Sequence, residues 1–279
     1  MWKTSRREIS LDVPLVMGIL NVTPDSFSDG GRYADINAAL KRADEMIAEG
    51  ADVIDIGGES TRPGSKRVSA DDEISRVVPV IEAISKRLDV PVSIDTSKSA
   101  VANAAVDAGA EIINDISGLR FDEAIAEVAA RHKTGLVLMH SRGEFETMHS
   151  QPPVEDIITE VEKDLRRSIS AAAAAGVAGE QIALDIGLGF GKTLDQNLKL
   201  IAQLDRLVKE FPGFPILVGA SRKSFLGKLL GKDDPKERLS GSLASAAIAV
   251  WNGAKMLRVH DVAATVDAVK IVTQTKLRS

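Results

Sequence analysis

Polar side chains able to bind or polarise a substrate recur at the ends of short apolar runs. They are Asn21, Gly57-Gly58-Glu59, Asp95, Asn114, His140, Asp185, the string Ser221-Arg222-Lys223, and His260. Amides, carboxylates, imidazoles and ammonium groups of this kind serve hydrogen bonding, charge stabilisation and proton transfer. Several familiar machines are excluded. Ser221 lies in Gly219-Ala220-Ser221-Arg222-Lys223, which lacks the second glycine of a nucleophile elbow. The stretch from Gly187 to Thr193 has three residues between Gly187 and Gly191 where a nucleotide P-loop needs four, and no G-x-G-x-x-G occurs. His132, His140, His149 and His260 show no metal-ligand spacing. The chain has no Cys, so disulfides, thiolate zinc and a Cys nucleophile are ruled out.

The elements that must position these groups follow from period. The eight apolar runs are continuous rather than alternating, which describes parallel strands covered by helices. Between them, Ile36, Ala39, Leu40, Ala43, Met46 and Ile47 fall on one helical face, as do Ile74, Val77, Val78, Ile81, Ile84 and Leu88. Ser69 and Asp72 form a capping pattern ahead of the second helix, and Gly50, Gly109, Gly176 and Gly253 stand where a left-handed residue ends a helix. Eight strand-helix units in 279 residues predict an α/β fold of one domain, a (β/α)8 TIM barrel, with residues 1–13 as a short N-terminal extension. Strand ends then gather at one mouth. Two connections, 22–35 and 57–71, are too long for turns and carry Phe27 and Thr61-Arg62-Pro63, which marks them as functional loops.

Composition narrows the partners. A net charge of −5, no basic run and few aromatics argue against nucleic acid. The first thirteen residues lack an apolar signal core and no run reaches the ~18 residues of a membrane span, so no membrane and a cytoplasmic location are expected.

Longer strings carry a family resemblance. Gly18-Ile19-Leu20-Asn21-Val22-Thr23-Pro24-Asp25-Ser26-Phe27-Ser28-Asp29-Gly30-Gly31 and Gly57-Gly58-Glu59-Ser60-Thr61-Arg62-Pro63-Gly64 are the most specific. Ser93-Ile94-Asp95-Thr96, Asn114-Asp115, Gly189-Phe190-Gly191-Lys192, Ser221-Arg222-Lys223-Ser224 and Arg258-Val259-His260-Asp261 follow in order. Over essentially its whole length the chain resembles the dihydropteroate synthases. The resemblance implies condensation of 6-hydroxymethyl-7,8-dihydropterin diphosphate with 4-aminobenzoate in folate biosynthesis, diphosphate leaving before the amine attacks. It implies a pterin site of Asp95, Asn114, Asp185 and Lys223, and a diphosphate site of Asn21, Thr61, Arg258, Val259 and His260. A 4-aminobenzoate site would comprise Thr61, Arg62, Pro63, Phe27, Phe190 and Ser221. Asp95, Lys223 and Asp29 would be catalytic, and Mg2+ would be held partly by Asn21 with most ligands from phosphate and water.

Further expectations attach to single residues. Buried charges at one mouth should pair, so Asp185 and Lys223 are expected to hold each other. Arg222 is expected to stack on Phe190, and the loop bearing Phe27 and Asp29 to close over the site with Gly30-Gly31 as hinge. Each aspartate has an alternative role as a helix N-cap. Ile186 replaces the family's usual proline, which puts the turn geometry after Asp185 in question. His140, followed by Ser141 where Met is commoner, is expected as a pocket wall. A pterin-binding methyltransferase serving a corrinoid would not need Thr61-Arg62-Pro63 or Ser221-Arg222-Lys223, and a non-catalytic descendant would have lost Asn21, Arg258 or His260. The family commonly dimerises through late helices, and the Ala-rich segment 242–251 makes a homodimer the expectation.

Overall fold

The computed structural model describes residues 1–23, 32–61, 64–148 and 150–278, with the backbone alone for 32–35. A run such as Gly135-Leu136-Val137-Leu138-Met139 is apolar on both faces and buried along its whole length, as a strand between two packed layers must be. Eight parallel strands close into a barrel: β3 (Leu15–Asn21), β4 (Val53–Gly57), β5 (Val92–Asp95), β6 (Ile112–Asp115), β7 (Gly135–Met139), β8 (Ile182–Asp185), β9 (Ile216–Val218) and β10 (Met256–Val259). Pairing of β10 with β3 completes the ring, which confirms the expected (β/α)8 architecture.

The outer ring comprises α1 (Arg32–Ala48), α2 (Ala70–Arg87), α3 (Ser99–Asp107), α4 (Ala124–His132), α5 (Ile157–Ala174), α6 (Leu194–Ala202), α7 (Leu204–Glu210), α8 (Ser224–Leu230), α9 (Leu239–Trp251) and α10 (Val262–Lys276). The expected cap is present, with Ser69 Oγ accepting from the Asp72 N–H at 3.1 Å. Gly50 and Gly253 take φ of +98° and +105° where the preceding helices stop.

Residues 1–13 form the barrel floor. A short antiparallel pair, β1 (Trp2–Lys3) and β2 (Glu8–Ile9), lies beneath the barrel. Trp2 is fully buried among Leu15, Met17, Val53, Ile112, Val137, Ala183, Leu217 and Met256, and its indole N–H donates to the Gln181 carbonyl at 2.8 Å. These apolar residues are the lower inward layer. Side chains two residues further along a strand share the same face, so Asp55, Asn114, Met139, Asp185 and Arg258 form the next layer toward the mouth. Strand register sets Asn21 beside Gly57, Gly57 beside Asp95 and Asp95 beside Asn114. Three of the expected site residues therefore lie on one arc of the rim.

Candidate active site

Arg258 is the hub of the barrel interior. Its Nε donates to Asp55 Oδ2 at 2.6 Å and its terminal nitrogen donates to Asp95 Oδ2 at 2.6 Å, while the Asn114 amide donates to the same Asp55 oxygen at 3.2 Å. Asp55 is fully buried. Burial works against the guanidinium charge, but the Asp55 and Asp95 carboxylates outweigh it and hold Arg258 above its ordinary value. Burial raises Asp95 well above the usual carboxylate range despite the pull of Arg258, because Asp55 competes for the same cation. Asp55 has no place among the sequence-level candidates. Its signal was an acid inside the apolar run from Val53 to Gly57, at a strand's middle rather than its end.

Asp185 and Lys223 flank this hub without pairing: no ion pair within 4 Å joins them among the described residues. The expected direct pair is corrected. Asp185 Oδ1 is taken by the Gly187 N–H at 2.7 Å, and the Lys223 ammonium donates to the Leu188 carbonyl. The turn after Asp185 is thus anchored by its own carboxylate where the family's proline is absent, and Ile186 is buried in the core. Gly187 has φ of +63°, and a Cβ there would lie 1.8 Å from the His140 carbonyl oxygen. Burial lowers Lys223 to about 8, the attraction of Asp185 opposing it. Its ammonium also lies 4.7 Å from the Phe190 ring centroid. Phe190 is buried with Ile116, Met139, Phe145 and Met148, an apolar wall on one side of the mouth.

Arg222 takes another direction from the one expected. Rather than stacking on Phe190, it donates to both oxygens of Asp261 at 3.0 and 2.5 Å, and its backbone has φ of +58°. Lys223 occupies the aromatic face in its place. Ser221 Oγ accepts from the His260 N–H at 3.1 Å and lies 3.0 Å from His260 Nδ1, joining the ends of β9 and β10. Val259 and His260 lead directly into α10, and Lys223 into α8. Strand ends that open into helix N-termini at this position of a barrel suit an anion.

His140, expected as a pocket wall, is enclosed against the outer ring, with Nε2 3.6 Å from Asp164 Oδ2 on α5. Both ring nitrogens are buried without a hydrogen-bond partner among the described residues, and burial beside Lys192, Arg142 and Arg120 keeps its pKa well below 6.5. Lys192, another residue absent from the sequence-level candidates, donates to the carbonyls of Gly187 at 2.6 Å, Phe190 at 3.0 Å and His140 at 3.4 Å, tying the glycine-rich turn together. Asp115 is structural: its carboxylate accepts from the Ser117 and Leu119 N–H groups and the Ser117 hydroxyl. Asn21 ends β3, and Thr61 lies in the connection between β4 and α2. Phe27, Asp29, Arg62 and Pro63 lie outside the described residues.

Among the described residues no group of three His, Asp or Glu is placed to hold a metal ion. A Cβ at Gly57 would meet Asn21 Oδ1 and Asp95 Oδ2, each at 3.6 Å, so these two oxygens flank the bare glycine of β4. One weak oxygen donor fits Mg2+ that keeps water and phosphate as its other ligands, and does not fit a protein-only cage.

The sequence pattern of pterin binding enzymes matches residues 17–260. The dihydropteroate synthase of Synechocystis is 48% identical over 256 residues, 92% of this chain and 88% of its own. Among solved structures, Yersinia pestis dihydropteroate synthase in a sulfonamide drug complex superposes with a TM-score of 0.92 at 45% identity, covering 100% of both chains. Xanthomonas albilineans dihydropteroate synthase with 4-aminobenzoic acid superposes with a TM-score of 0.89 at 44% identity, covering 96% and 95%.

Proposed function

The chain belongs to the pterin binding enzyme family and is a dihydropteroate synthase, and on that premise we propose how its barrel mouth divides the work. The reaction joins 6-hydroxymethyl-7,8-dihydropterin diphosphate to 4-aminobenzoate, yielding 7,8-dihydropteroate and diphosphate, in folate biosynthesis. An aniline nitrogen is a weak nucleophile. The favoured sequence therefore breaks the methylene C–O bond first, its electron pair leaving with diphosphate, and the ring delocalises the resulting cation. The amine lone pair then forms the C–N bond, and water accepts the anilinium proton.

Catalysis of this kind is electrostatic. Asp95, poised at the barrel axis against Arg258, faces the methylene carbon and favours its positive charge. Asp185 and Asn114 grip the donor edge of the pterin, and Lys223 leaves the Leu188 carbonyl to donate to the ring carbonyl or N5. Arg258, His260, the Val259 backbone, Asn21 and Thr61 receive diphosphate beside the starts of α8 and α10. Asn21 would hold Mg2+, which would supply positive charge to the leaving diphosphate. Phe190 and Ser221, with Thr61, Arg62, Pro63 and Phe27, hold 4-aminobenzoate, and Asp29 with Phe27 belongs to a loop that excludes water.

The observation that carries this reading is the Asp55–Arg258–Asp95 chain, with Asn114 on Asp55, beside Asp185 and Lys223 at the barrel mouth. A pocket of fixed charges meets a charged transition state without reorganising. A homodimer through α9 and α10 is part of the proposal, supported by exposed Ile248, Trp251 and Ile271 on those helices. A cytoplasmic setting is likewise proposed, supported by the absence of Cys. No described helix is long and apolar enough to cross a membrane.

The test is diphosphate release from the pterin substrate with Mg2+, with and without 4-aminobenzoate, on the wild type and Lys223→Ala. Release that requires 4-aminobenzoate, yields dihydropteroate and collapses in the variant is expected. Undiminished turnover in Lys223→Ala would overturn the pterin-site assignment.

A further inference from the structure

The connection from β4 to α2 is closed at its neck. Glu59 Oε1 accepts from the Val68 N–H at 2.7 Å, which joins the two ends of the segment carrying Thr61. Lys98, from the end of β5, lies 2.9 Å from Glu59 and 2.5 Å from the fully buried Glu73 of α2, so the neck is bolted to two neighbouring units. Ser65 donates to Ser60 at 2.9 Å inside the neck. Beyond it, the Arg67 guanidinium carbon lies 5.6 Å from the Phe121 ring centroid and 5.7 Å from that of Phe145. Phe121 follows β6 and Phe145 follows β7, so this side chain reaches across the mouth from one loop to two others. Arg120 lies 5.4 Å from the centroid of Phe121 and is held by the Ser141 carbonyl at 2.6 Å. Phe145 belongs to the apolar wall that includes Phe190.

We propose that Arg67 is a positioning residue for 4-aminobenzoate: it latches the Glu59–Lys98-necked loop onto Phe121 and Phe145. The latch sets the distance between Thr61 and the Phe190 wall without touching substrate. This rests on the assignment of 4-aminobenzoate to the space beside Phe190. The physical argument is pre-organisation. A loop held at both ends loses less conformational freedom when its ligand arrives, so the latch acts chiefly on affinity for 4-aminobenzoate. Apart from Thr61, the pterin and diphosphate groups are held by strand ends that Arg67 does not reach.

The experiment measures KM for both substrates and the melting temperature of the wild type, Arg67→Ala, Arg67→Lys and Phe190→Ala. Arg67→Ala should raise KM for 4-aminobenzoate by about two- to fivefold, the span of an exposed cation–π contact. KM for pterin diphosphate should rise less than KM for 4-aminobenzoate, the melting temperature should stay at the wild-type value, and Arg67→Lys, which keeps a cation over the rings, should recover part of the loss. If Phe190→Ala raises KM for 4-aminobenzoate and Arg67→Ala does not, the latch is wrong and the site stands. Equal rises for both substrates would also overturn it. If Phe190→Ala leaves KM unchanged, the site assignment falls and the latch with it.

Discussion

Charge placed inside a barrel must be answered by charge, and Arg258 shows how closely the answer is matched. The buried Asp55 and the partly buried Asp95 share one guanidinium, and removing it would leave both uncompensated. Arg258→Ala should therefore destabilise the fold by about 3–5 kcal/mol as well as abolish turnover, whereas Arg258→Ala combined with Asp55→Asn should recover part of the stability. Chemical denaturation of the single and double variants measures this. Lys223 offers a pH signature. Burial lowers it to about 8, so it is charged below that value and loses its proton above it. The charged form donates to the pterin, hence kcat/KM for pterin diphosphate should fall as pH rises through about 8. Arg in its place stays protonated throughout, so the alkaline limb should vanish from whatever activity Lys223→Arg retains. Strand-end residues were legible because a polar side chain ending an apolar run stands out. Asp55 was not, since a mid-strand acid makes sense only once Arg258, 203 positions away, is known to face it.

The strands, helices and their order follow from period and caps, which are local, and these were readable in the chain. Loop geometry was not. Lys223 takes the aromatic face expected of Arg222 because Arg222 has a φ of +58°, which turns its side chain to Asp261. A left-handed non-glycine residue is held there by tertiary contacts, among them its N–H donating to Ser242 at 2.9 Å. The glycine-rich turn is equally dependent on its surroundings. Gly187→Ala would drive a Cβ into the His140 carbonyl at a backbone angle that disfavours any side chain. It should cost about 1–3 kcal/mol from strain alone and lower kcat/KM by displacing Leu188 and Phe190. Gly213→Ala, where a Cβ meets nothing within 4 Å, serves as the control and should melt near the wild type.

At the scale of the whole molecule, stability and activity occupy opposite ends of one barrel. The floor is apolar and sealed by Trp2; the mouth is charged and partly open. Trp2→Ala should cost about 3–5 kcal/mol, as large aromatic truncations in cores do, while leaving KM for both substrates unchanged; thermal melts and steady-state rates separate the two. That residues 1–13 would plug the floor could not be read from their charged, aperiodic sequence, since their partners are inward side chains from seven different strands. A net charge of −5 conceals a mouth where Arg258, Lys223 and His260 converge, which composition averages away. The central claim is that this mouth stabilises a pterin methylene cation before the amine attacks. The most direct measurement is positional isotope exchange in pterin diphosphate labelled at the oxygen that joins the methylene carbon to phosphorus, with Mg2+ and an unreactive analogue of 4-aminobenzoate holding the second site. Reversible C–O cleavage predicts scrambling of the label into non-bridging positions, lost in Asp95→Asn. No scrambling in an enzyme that turns over normally with 4-aminobenzoate would contradict departure before attack.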